Sequence, residues 1–333
     1  MKTYFRPLVQ TGSARPRDAL PLAGGASWWT QAAALDRDRR EEIIAAGEVP
    51  AQVRDRICAP RAPIAGLSMD EPRIMGILNA TPDSFSDGGQ HFSFDAAVAR
   101  ARAMAAEGAS LVDIGGESTR PGAETVVAED EIARVVPVIE ALRGAGFAFP
   151  ISVDTRKAAV ASAALAAGAD LFNDVSALTF DPESAKFAAQ AGAPVCLMHA
   201  QGDPATMQAN PRYDNVLLDV YDFLAARVAV AEAAGIARER IVIDVGIGFG
   251  KTIVHNLALL RGMSLFHGLG CPILLGVSRK RFIGVIGNAQ EAAHRAPGSI
   301  ALGLDALRQG VQILRVHDVA ETSQALALWR AVR

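Results

Sequence analysis

Polar side chains that could bind a ligand or do chemistry end or follow each of eight short apolar runs in the chain. In chain order they are Asn79, Glu117, Thr119, Arg120, Asp154, Asn173, His199, Asp244, Ser278, Arg279, Lys280, Arg315, His317 and Asp318. One such residue by itself, for example His199 or Asp318, is more often a hydrogen-bonded loop or core residue than part of a site. A polar residue at the end of every run is much harder to explain in that way.

The set separates into hydrogen-bond acceptors and cations. Asp154, Asn173 and Asp244 offer oxygen acceptors in the middle of the series. The cationic donors are Arg120, Arg279, Lys280, Arg315 and His317. A carboxylate accepts two hydrogen bonds from an amino-pyrimidine edge much as it does from arginine, and a charge-assisted bond is worth ~1.5–3 kcal/mol. The set therefore suits an electron-rich ring that carries an anionic group, with Asp244 expected at the ring edge.

The apolar runs have the length of short buried strands. They are Ile74–Leu78, Leu111–Ile114, Ile151–Val153, Leu171–Phe172, Val195–Met198, Ile241–Ile243, Ile273–Val277 and Ile313–Val316. Segments with helical periodicity separate them, as in residues 215–235, where Leu217, Tyr221 and Leu224 lie on one stripe. Eight strand–helix units in residues 73–333 predict an α/β fold of the (β/α)8, or TIM, barrel type rather than an open doubly wound sheet. Active sites of such barrels lie at the carboxyl ends of the strands.

Glycine and proline mark the ends of the predicted helices. Five glycines lie between a helical segment and the next strand, where a residue without Cβ can adopt a left-handed conformation. They are Gly108, Gly168, Gly192, Gly235 and Gly310. Pro137 lies inside a predicted helix, at Ile132–Ile139. Because an interior proline typically costs ~3 kcal/mol, we expect a kink or an early end of that helix.

Residues 1–72 are predicted to be an N-terminal extension that packs on the catalytic domain of residues 73–333. Proline and glycine recur up to Gly25, and the pair Trp28 and Trp29 follows. A charged stretch from about Thr30 to Ala46 predicts a helix, and the remainder up to residue 72 resembles a loop. We expect an extra strand and helix over the wall or floor of the barrel, with one of the tryptophans buried. An arm that docks a partner is the alternative.

The composition excludes several classes of protein. The chain has 33 Lys and Arg against 36 Asp and Glu, so it lacks the basic excess of nucleic-acid-binding proteins. It has no run of ~18 apolar residues and no apolar leader, which argues against a membrane or secreted protein. Cys58, Cys196 and Cys271 are widely spaced and suggest neither a disulfide framework nor a zinc site. A cytoplasmic protein with small-molecule substrates is expected.

The glycine-rich stretch from Gly246 to Thr252 superficially resembles a phosphate-binding loop. Only three residues separate Gly246 from Gly250, whereas that motif requires four. The spacing also differs from the dinucleotide fingerprint, and no acidic residue follows at the appropriate distance. We therefore expect neither ATP nor a dinucleotide here. The glycines instead allow Phe249 and the backbone to approach a ligand closely.

Six motifs follow one another in the predicted barrel. They are MGILNATPDSFSDGG (75–89), DIGGESTRPG (113–122), SVDT (152–155), FNDV (172–175), GVSRK (276–280) and RVHDV (315–319). This series closely resembles the signatures of the dihydropteroate synthase family from about residue 73 to the C-terminus. The resemblance implies a (β/α)8 barrel that joins a dihydropterin diphosphate to 4-aminobenzoate in folate synthesis. It also implies release of diphosphate, a Mg²⁺ ion and a homodimer, and enzymes of this family are targets of sulfonamide drugs.

The resemblance assigns roles by position in these motifs. The pterin-binding residues would be Asp154, Asn173, Met198, Asp244, Phe249, Lys280 and Arg315. The diphosphate-binding residues would be Asn79, Thr119, Arg120, Arg315 and His317, with Asn79 near the metal. The aminobenzoate-binding residues would be Phe85, Thr119, Pro121, Phe249, Lys280 and Arg281. The catalytic residues would be Asp154, Lys280 and Arg315, and loops 81–89 and 117–122 would close over the site.

The family reaction implied by the resemblance is dissociative, and its methylene cation needs stabilisation. Asp154 is our hypothesis for that role, because a fixed carboxylate in a water-poor site needs no reorganisation. The alternatives for Lys280 are a surface lysine at the start of a helix and a lysine that forms a Schiff base. Many family members have a serine at the position of Arg281, and that serine meets the aminobenzoate carboxylate at a helix N-terminus, where anions are favoured. Arg281 would be a cationic substitute for this serine.

Two departures and two rival functions remain. Val245 replaces a usual proline and Ala200 a frequent methionine, yet neither change removes a functional group. A pterin-dependent methyltransferase that serves a corrinoid protein is one rival, and loop sequences 81–85 and 118–121 argue against it. A pterin-binding paralogue without synthase activity is the other, and the full set of site residues argues against it.

Overall fold

The structure, a computed structural model, describes residues 2–38, 40–80, 90–118, 125–203 and 206–332. Its N-terminal part contains short strands and one helix. These are β1 (Tyr4–Pro7), β2 (Leu20–Pro21), β3 (Trp28–Trp29), β4 (Gln31–Leu35), β5 (Glu41–Ala45) and α1 (Ala51–Cys58). Strands β1, β4 and β5 form an antiparallel sheet with β4 in the middle, and β2 pairs with β3.

The helix predicted from about Thr30 to Ala46 is wrong, because that segment is the β4–β5 hairpin. The two strands pair antiparallel along their whole length, and in the turn the Asp36 carboxylate accepts a hydrogen bond of 3.0 Å from the Arg40 amide. Alanine-rich β4 has high intrinsic helix propensity. Pairing on both sides and complete burial of Ala32 and Ala33 outweigh that propensity. The expected loop up to residue 72 is also wrong at α1.

Two tryptophans belong to the core of this extension. Trp29 is completely buried and Trp28 is 8% exposed, so the expectation that one of them is buried is confirmed. Leu22, Val49 and Ile57 belong to the same apolar cluster as Trp29. The extension therefore has a small core of its own.

Polar contacts join the extension to the outer wall of the barrel. Tyr4 donates a hydrogen bond of 2.6 Å to the Asp222 carboxylate. Arg37 donates to Asp219 and Asp222 at 2.7 Å each. Both aspartates lie on a long barrel helix, α6 (Val216–Ala233). The Ser264 hydroxyl donates to the Pro7 carbonyl at 2.9 Å, so strand β1 is held at both ends.

Eight parallel strands form the closed barrel that the sequence predicts. They are β6 (Arg73–Asn79), β7 (Leu111–Gly115), β8 (Ile151–Asp154), β9 (Leu171–Asp174), β10 (Val195–Met198), β11 (Ile241–Asp244), β12 (Ile273–Leu275) and β13 (Ile313–Val316). Each strand pairs with its neighbours in sequence, and β13 closes the barrel on β6. The predicted (β/α)8 class is thus confirmed.

Helices alternate with these strands. They are α2 (Gln90–Ala106), α3 (Ala128–Gly144), α4 (Ala158–Ala166), α5 (Ser184–Ala191), α6 (Val216–Ala233), α7 (Ile253–Arg261), α8 (Arg281–Ile286), α9 (Ala296–Arg308) and α10 (Val319–Ala331). All five glycines expected to be left-handed have positive φ, between 65° at Gly192 and 109° at Gly168. Pro137 does not end α3, which continues to Gly144. Within the described ranges no helix is long and apolar enough to cross a membrane.

An apolar plug covers the start of the barrel strands. Ile64 and Met69, which precede β6, belong to one buried cluster with Met75, Leu111 and Leu171. These three residues lie at or near the amino ends of β6, β7 and β9. The floor of the barrel is thereby filled with apolar side chains. The polar residues that end the strands lie at the opposite end of the barrel.

Candidate active site

An arginine, two carboxylates and an amide meet inside the barrel. Arg315 on β13 places its Nε 2.6 Å from Asp113 Oδ2 on β7 and a terminal nitrogen 2.7 Å from Asp154 Oδ2 at the end of β8. Asn173 on β9 donates to the same Asp113 oxygen at 3.1 Å. Because β13 lies opposite β9 in the closed strand order, inward side chains from both walls of the barrel converge here.

Two carboxylate oxygens of this cluster have no hydrogen-bond partner among the described residues. They are Asp113 Oδ1 and Asp154 Oδ1, and both are buried. Most buried polar atoms in proteins have a partner, because an unpaired one costs about 1–3 kcal/mol. A ligand with N–H donors could satisfy both oxygens.

Opposing effects act on the ionisation of this cluster. Burial raises the pKa of Asp154 to about 7; Arg315 opposes this rise and Asp113 adds to it. Burial lowers the pKa of Arg315, but the two aspartates outweigh burial and raise it above its usual range. A cation this close favours the ionised carboxylate, yet burial of Asp154 dominates. The arginine thus stays charged while Asp154 binds a proton more readily than an exposed aspartate does.

Asp244, at the end of β11, lies beside the glycine-rich loop. Its Oδ1 accepts a hydrogen bond of 2.8 Å from the Gly246 amide. Burial raises the pKa of Asp244, whereas the Gly246 amide and the charges of Lys280 and Arg315 lower it. A Cβ at Gly276 would lie 3.5 Å from Asp244 Oδ2, so the segment directly after β12 passes close to this carboxylate.

Lys280 and Phe249 form one wall of the site. The Lys280 ammonium lies 4.2 Å from the centroid of the Phe249 ring, a cation–π distance. Gly248 has φ +85°, and a Cβ there would lie 3.2 Å from the Lys280 side chain. Phe249 also lines a cavity of about 400 Å³ together with Ala200 and Met207.

A serine and a histidine lie at the edge of the site. Ser278 Oγ is 3.0 Å from His317 Nδ1 and also accepts a hydrogen bond of 3.1 Å from the His317 amide. Arg279 and Asp318, in contrast, pair with each other, with Nε 3.0 Å from Oδ2. Ser278 and His317 therefore contact each other, whereas their sequence neighbours Arg279 and Asp318 form a pair of their own.

Two strand-end residues of the sequence set have partners elsewhere. Glu117 is buried and accepts hydrogen bonds from Arg156 at 2.8 Å and from Lys157 at 2.6 Å. His199 lies 2.8 Å from the Lys251 ammonium, and burial lowers the pKa of His199 to about 2. Glu117 and His199 therefore have hydrogen-bond partners other than the residues of the central cluster.

The other predicted site residues are placed as follows. Asn79 ends β6 and is half-buried, and buried Met198 ends β10. Arg281 is exposed as the first residue of α8. The four loop residues Phe85, Thr119, Arg120 and Pro121 lie outside the described residues, as do most of the two predicted closing loops.

Sequence reasoning missed two residues that organise the site. Asp113 entered only as part of a motif, although an ionisable residue inside an apolar strand was itself a signal. Lys251 entered only as part of the glycine-rich stretch, and no pattern in the sequence indicated its contact with His199. The structure brings Asp113 to the centre of the cluster and Lys251 beneath the glycine-rich loop.

A metal ion bound in this site would need ligands beyond the described protein side chains. Among the described residues no group of three or more His, Cys, Asp and Glu side chains could hold a metal by themselves. Mg²⁺ commonly takes a few protein oxygens and completes its shell with phosphate oxygens and water. The half-buried Asn79 amide at the end of β6 offers one such oxygen.

Comparisons with known proteins agree with this geometry. The family model for pterin binding enzymes matches residues 75–317. A dihydropteroate synthase from Haemophilus influenzae is 49% identical over 265 residues, which are 80% of this chain and 95% of the relative. The Xanthomonas albilineans dihydropteroate synthase structure with 4-aminobenzoic acid has a TM-score of 0.77 at 48% identity and covers 82% of this chain and 98% of its own. Its complex with 7,8-dihydropteroate gives 0.74 at 46%, with the same coverage. The chain belongs to the pterin-binding enzyme family.

Proposed function

We propose that the protein is a dihydropteroate synthase, a transferase that joins (7,8-dihydropterin-6-yl)methyl diphosphate to 4-aminobenzoate and releases diphosphate in folate synthesis. The observation that carries this proposal is the pair of buried, unpaired oxygens of Asp113 and Asp154 beside Arg315. An amino-pyrimidine ring has N–H donors of the kind these oxygens need. The Xanthomonas relative, solved with 4-aminobenzoic acid and with dihydropteroate, supports the choice of substrates.

The pterin ring would lie between the central cluster and Phe249. In this arrangement the carboxylates and amide that receive its N–H groups are Asp113, Asp154, Asn173 and Asp244. Lys280 would donate to the ring, and Arg315 would stack on its face. Met198, which ends β10, would line the same pocket. Asp113 is the addition to the set expected from sequence.

The diphosphate would lie at the edge formed by Asn79, Arg315 and His317. Ser278 Oγ is 3.0 Å from His317 Nδ1, which orients the imidazole so that its other nitrogen can face the phosphate oxygens. Thr119 and Arg120 are the loop residues assigned to the same group. When bound, Mg²⁺ would neutralise the charge of the leaving diphosphate. Asn79 is the residue assigned to it.

The chemistry would begin as the bond between the pterin methylene carbon and the diphosphate oxygen breaks. Arg315 and His317 favour departure of the anion. The carbon then carries positive charge, which the fixed carboxylate of Asp154 would stabilise without reorganisation. The amine of 4-aminobenzoate attacks that carbon, forms the new C–N bond and loses one proton. No strong general base is required.

The 4-aminobenzoate would lie against Phe249 and Lys280. Phe85, Thr119 and Pro121 are assigned to the same pocket. Arg281 is exposed at the first position of α8, and its cation could pair with the benzoate carboxylate. An arginine in this place would add charge to the attraction that a helix N-terminus has for anions.

The decisive experiment is an assay of the purified protein with dihydropterin diphosphate, 4-aminobenzoate and Mg²⁺. Equal amounts of dihydropteroate and diphosphate are expected. Ligand binding without diphosphate release would identify a binding paralogue, and methyl transfer from a methylated pterin to a corrinoid protein would identify the methyltransferase. Either result would overturn the proposed function.

Removal of the metal tests the proposed cofactor. Because the metal would be bound mainly by the substrate, EDTA should abolish turnover, and added Mg²⁺ should restore it fully. The unfolding temperature of the free protein should change little on chelation. Full turnover in EDTA would contradict the magnesium proposal.

We also propose a cytoplasmic homodimer. The three cysteines are free thiols, as expected in a reducing compartment. Light scattering at micromolar protein concentration should give twice the 34.9 kDa mass of one chain. A single-chain mass would contradict the dimer without affecting the proposed reaction.

A further inference from the structure

Lys251 ends the glycine-rich stretch that superficially resembles a phosphate loop, and it is 3% exposed. Its ammonium group has three N–H donors. They meet His199 Nδ1 at 2.8 Å, the Phe249 carbonyl at 3.0 Å and the His199 carbonyl at 3.3 Å. All three donors are therefore used inside the protein, and the lysine is turned away from any phosphate.

These contacts join two segments that follow different strands. His199 follows β10, and Phe249 lies between β11 and α7. The two backbones touch, since a Cβ at Gly246 would lie 1.8 Å from the His199 carbonyl oxygen and a Cβ at Gly250 would lie 2.4 Å from that of Gln201. Both glycines also have positive φ, 66° and 61°. Only glycine allows the loop to lie this close to the segment after β10.

The loop carries a side chain of the candidate site. The Phe249 ring lies 4.2 Å from the Lys280 ammonium, and both residues are assigned to the substrate pocket. The backbone carbonyl of the same phenylalanine accepts a hydrogen bond from Lys251. Lys251 thus holds Phe249 from beneath while the ring faces Lys280 and the site.

We propose that Lys251 is a positioning residue for the synthase reaction, which holds the loop of residues 246–250 so that Phe249 packs against Lys280. The proposal rests on the function proposed above. An amine buried without a carboxylate in hydrogen-bond contact is costly, and burial lowers the pKa of Lys251 well below its usual range. An apolar side chain would fill the same space at lower cost but would leave the His199 and Phe249 acceptors unpaired.

The variant Lys251→Met tests this role because it keeps the length of the side chain and removes the donors. We expect KM for 4-aminobenzoate to rise about tenfold while kcat changes less than about threefold, the pattern of lost substrate positioning. Backbone amides of residues 246–251 should exchange hydrogen faster, and those of the barrel strands should not. Lys186→Met, at an exposed lysine of α5, is the matched control and should leave both measurements unchanged.

A double-mutant cycle with Phe249→Ala separates positioning from general stabilisation. If Lys251 acts through the phenylalanine, Lys251→Met should change KM less than about twofold in the Phe249→Ala background. Fold-changes that multiply would overturn the proposal, as would a lowered unfolding temperature with unchanged KM and unchanged loop exchange.

A second variant covers the case in which Lys251→Met fails to fold. Tyr213→Phe removes the hydroxyl that donates to the Gly250 carbonyl at 2.8 Å, and it should raise the same KM by a smaller factor. No change in KM would then count against positioning of this loop. If wild-type protein makes no dihydropteroate, the proposed function fails. Calorimetric binding of dihydropterin diphosphate to the same variants then decides the role of Lys251 independently.

Discussion

At the scale of single residues, the central question is how a buried arginine and two buried aspartates serve a reaction that develops positive charge. Arg315 contacts one oxygen of Asp113 and one of Asp154, so each carboxylate keeps its second oxygen unpaired. Asp113 accepts a second hydrogen bond from Asn173, whereas among the described residues Asp154 accepts a side-chain hydrogen bond only from the arginine. Asp154 is therefore the less satisfied carboxylate and the better candidate to stabilise a cation.

Asp154→Asn should lower kcat about a hundredfold, because a neutral amide cannot stabilise the pterin-methylene cation as a carboxylate does. The change in KM should be smaller, since the amide oxygen still accepts one hydrogen bond. Steady-state rates of diphosphate release measure both values. Asp130→Asn, at an exposed residue of α3, is the control and should retain full turnover. Nearly unchanged turnover of Asp154→Asn would refute the assigned role.

The raised pKa of Asp154 predicts a pH dependence of stability. Its folded pKa of about 7 lies above the ordinary 3.8, so between these values the folded state holds a proton that the unfolded state releases. The free energy of unfolding due to this group therefore falls as pH rises from about 4 to 7.

Urea denaturation at pH 5 and pH 8 measures this effect. Asp154→Asn should decrease the loss of stability between the two pH values by roughly 1–3 kcal/mol relative to wild type. The comparison isolates Asp154, because other titrating groups contribute in both proteins. Equal losses in the two proteins would show that burial does not raise this pKa.

At the scale of elements, α3 shows how tertiary packing overrides a local preference. Pro137 lies in the interior of a helix of 17 residues and is exposed to solvent. Its ring removes the N–H that would bond to the carbonyl four residues earlier. The helix nevertheless continues, because Val135, Val138 and Ile139 on its other face are buried in the barrel core.

Pro137→Ala should therefore stabilise the protein. The new amide restores one helical hydrogen bond, and the expected gain is about 1–3 kcal/mol after the greater freedom of the unfolded chain is subtracted. Thermal and urea unfolding measure it. Glu140→Ala, an exposed substitution in the same helix, should change stability by less than about 0.5 kcal/mol. Loss of stability in Pro137→Ala would mean that the proline ring makes a contact the fold needs.

At the scale of the whole molecule, the extension and the candidate active site lie on different parts of the barrel. The extension contacts the outer wall and the floor, whereas the site lies at the carboxyl ends of the strands. The family model begins at residue 75, so the extension lies outside the part of the chain that it matches. Its core around Trp29 is separate from the barrel core. Arg37 and Tyr4 join it to α6, and Ile64 and Met69 close the floor.

Trp29→Ala should destabilise the protein without affecting catalysis. Loss of a completely buried tryptophan costs about 3–5 kcal/mol, and the site lies at the other end of the strands. Limited proteolysis should cut within residues 1–60 before the barrel, while KM stays unchanged. Ile43→Ala, at a residue of β5 that is 50% exposed, is the control and should resist proteolysis like wild type. A changed KM in Trp29→Ala would reveal coupling between extension and site.

The sequence by itself determined the barrel and predicted most of the residues of the candidate site. Eight short apolar runs alternate with segments of helical periodicity, and glycines mark the ends of several of these helices. This pattern leaves few alternative folds, because short buried strands and glycine-terminated helices are specified by local sequence. The end of each strand then identifies Asp154, Asn173, Asp244, Lys280 and Arg315, since parallel strands of a closed barrel all bring their carboxyl ends to one face. The resemblance of the six motifs to a known family then indicated the substrates.

Tertiary structure decided what local patterns could not. The alanine-rich β4 became a strand because two partners pair with its backbone, a contact that no local propensity contains. Arg279 and Asp318 follow strands whose carboxyl ends face the site, but their side chains form an ion pair with each other instead. Lys251 donates to the ring and the carbonyl of His199, 52 residues earlier in the chain, as well as to the nearby Phe249 carbonyl. Each outcome depends on distances between residues far apart in sequence, and only the folded chain sets those distances.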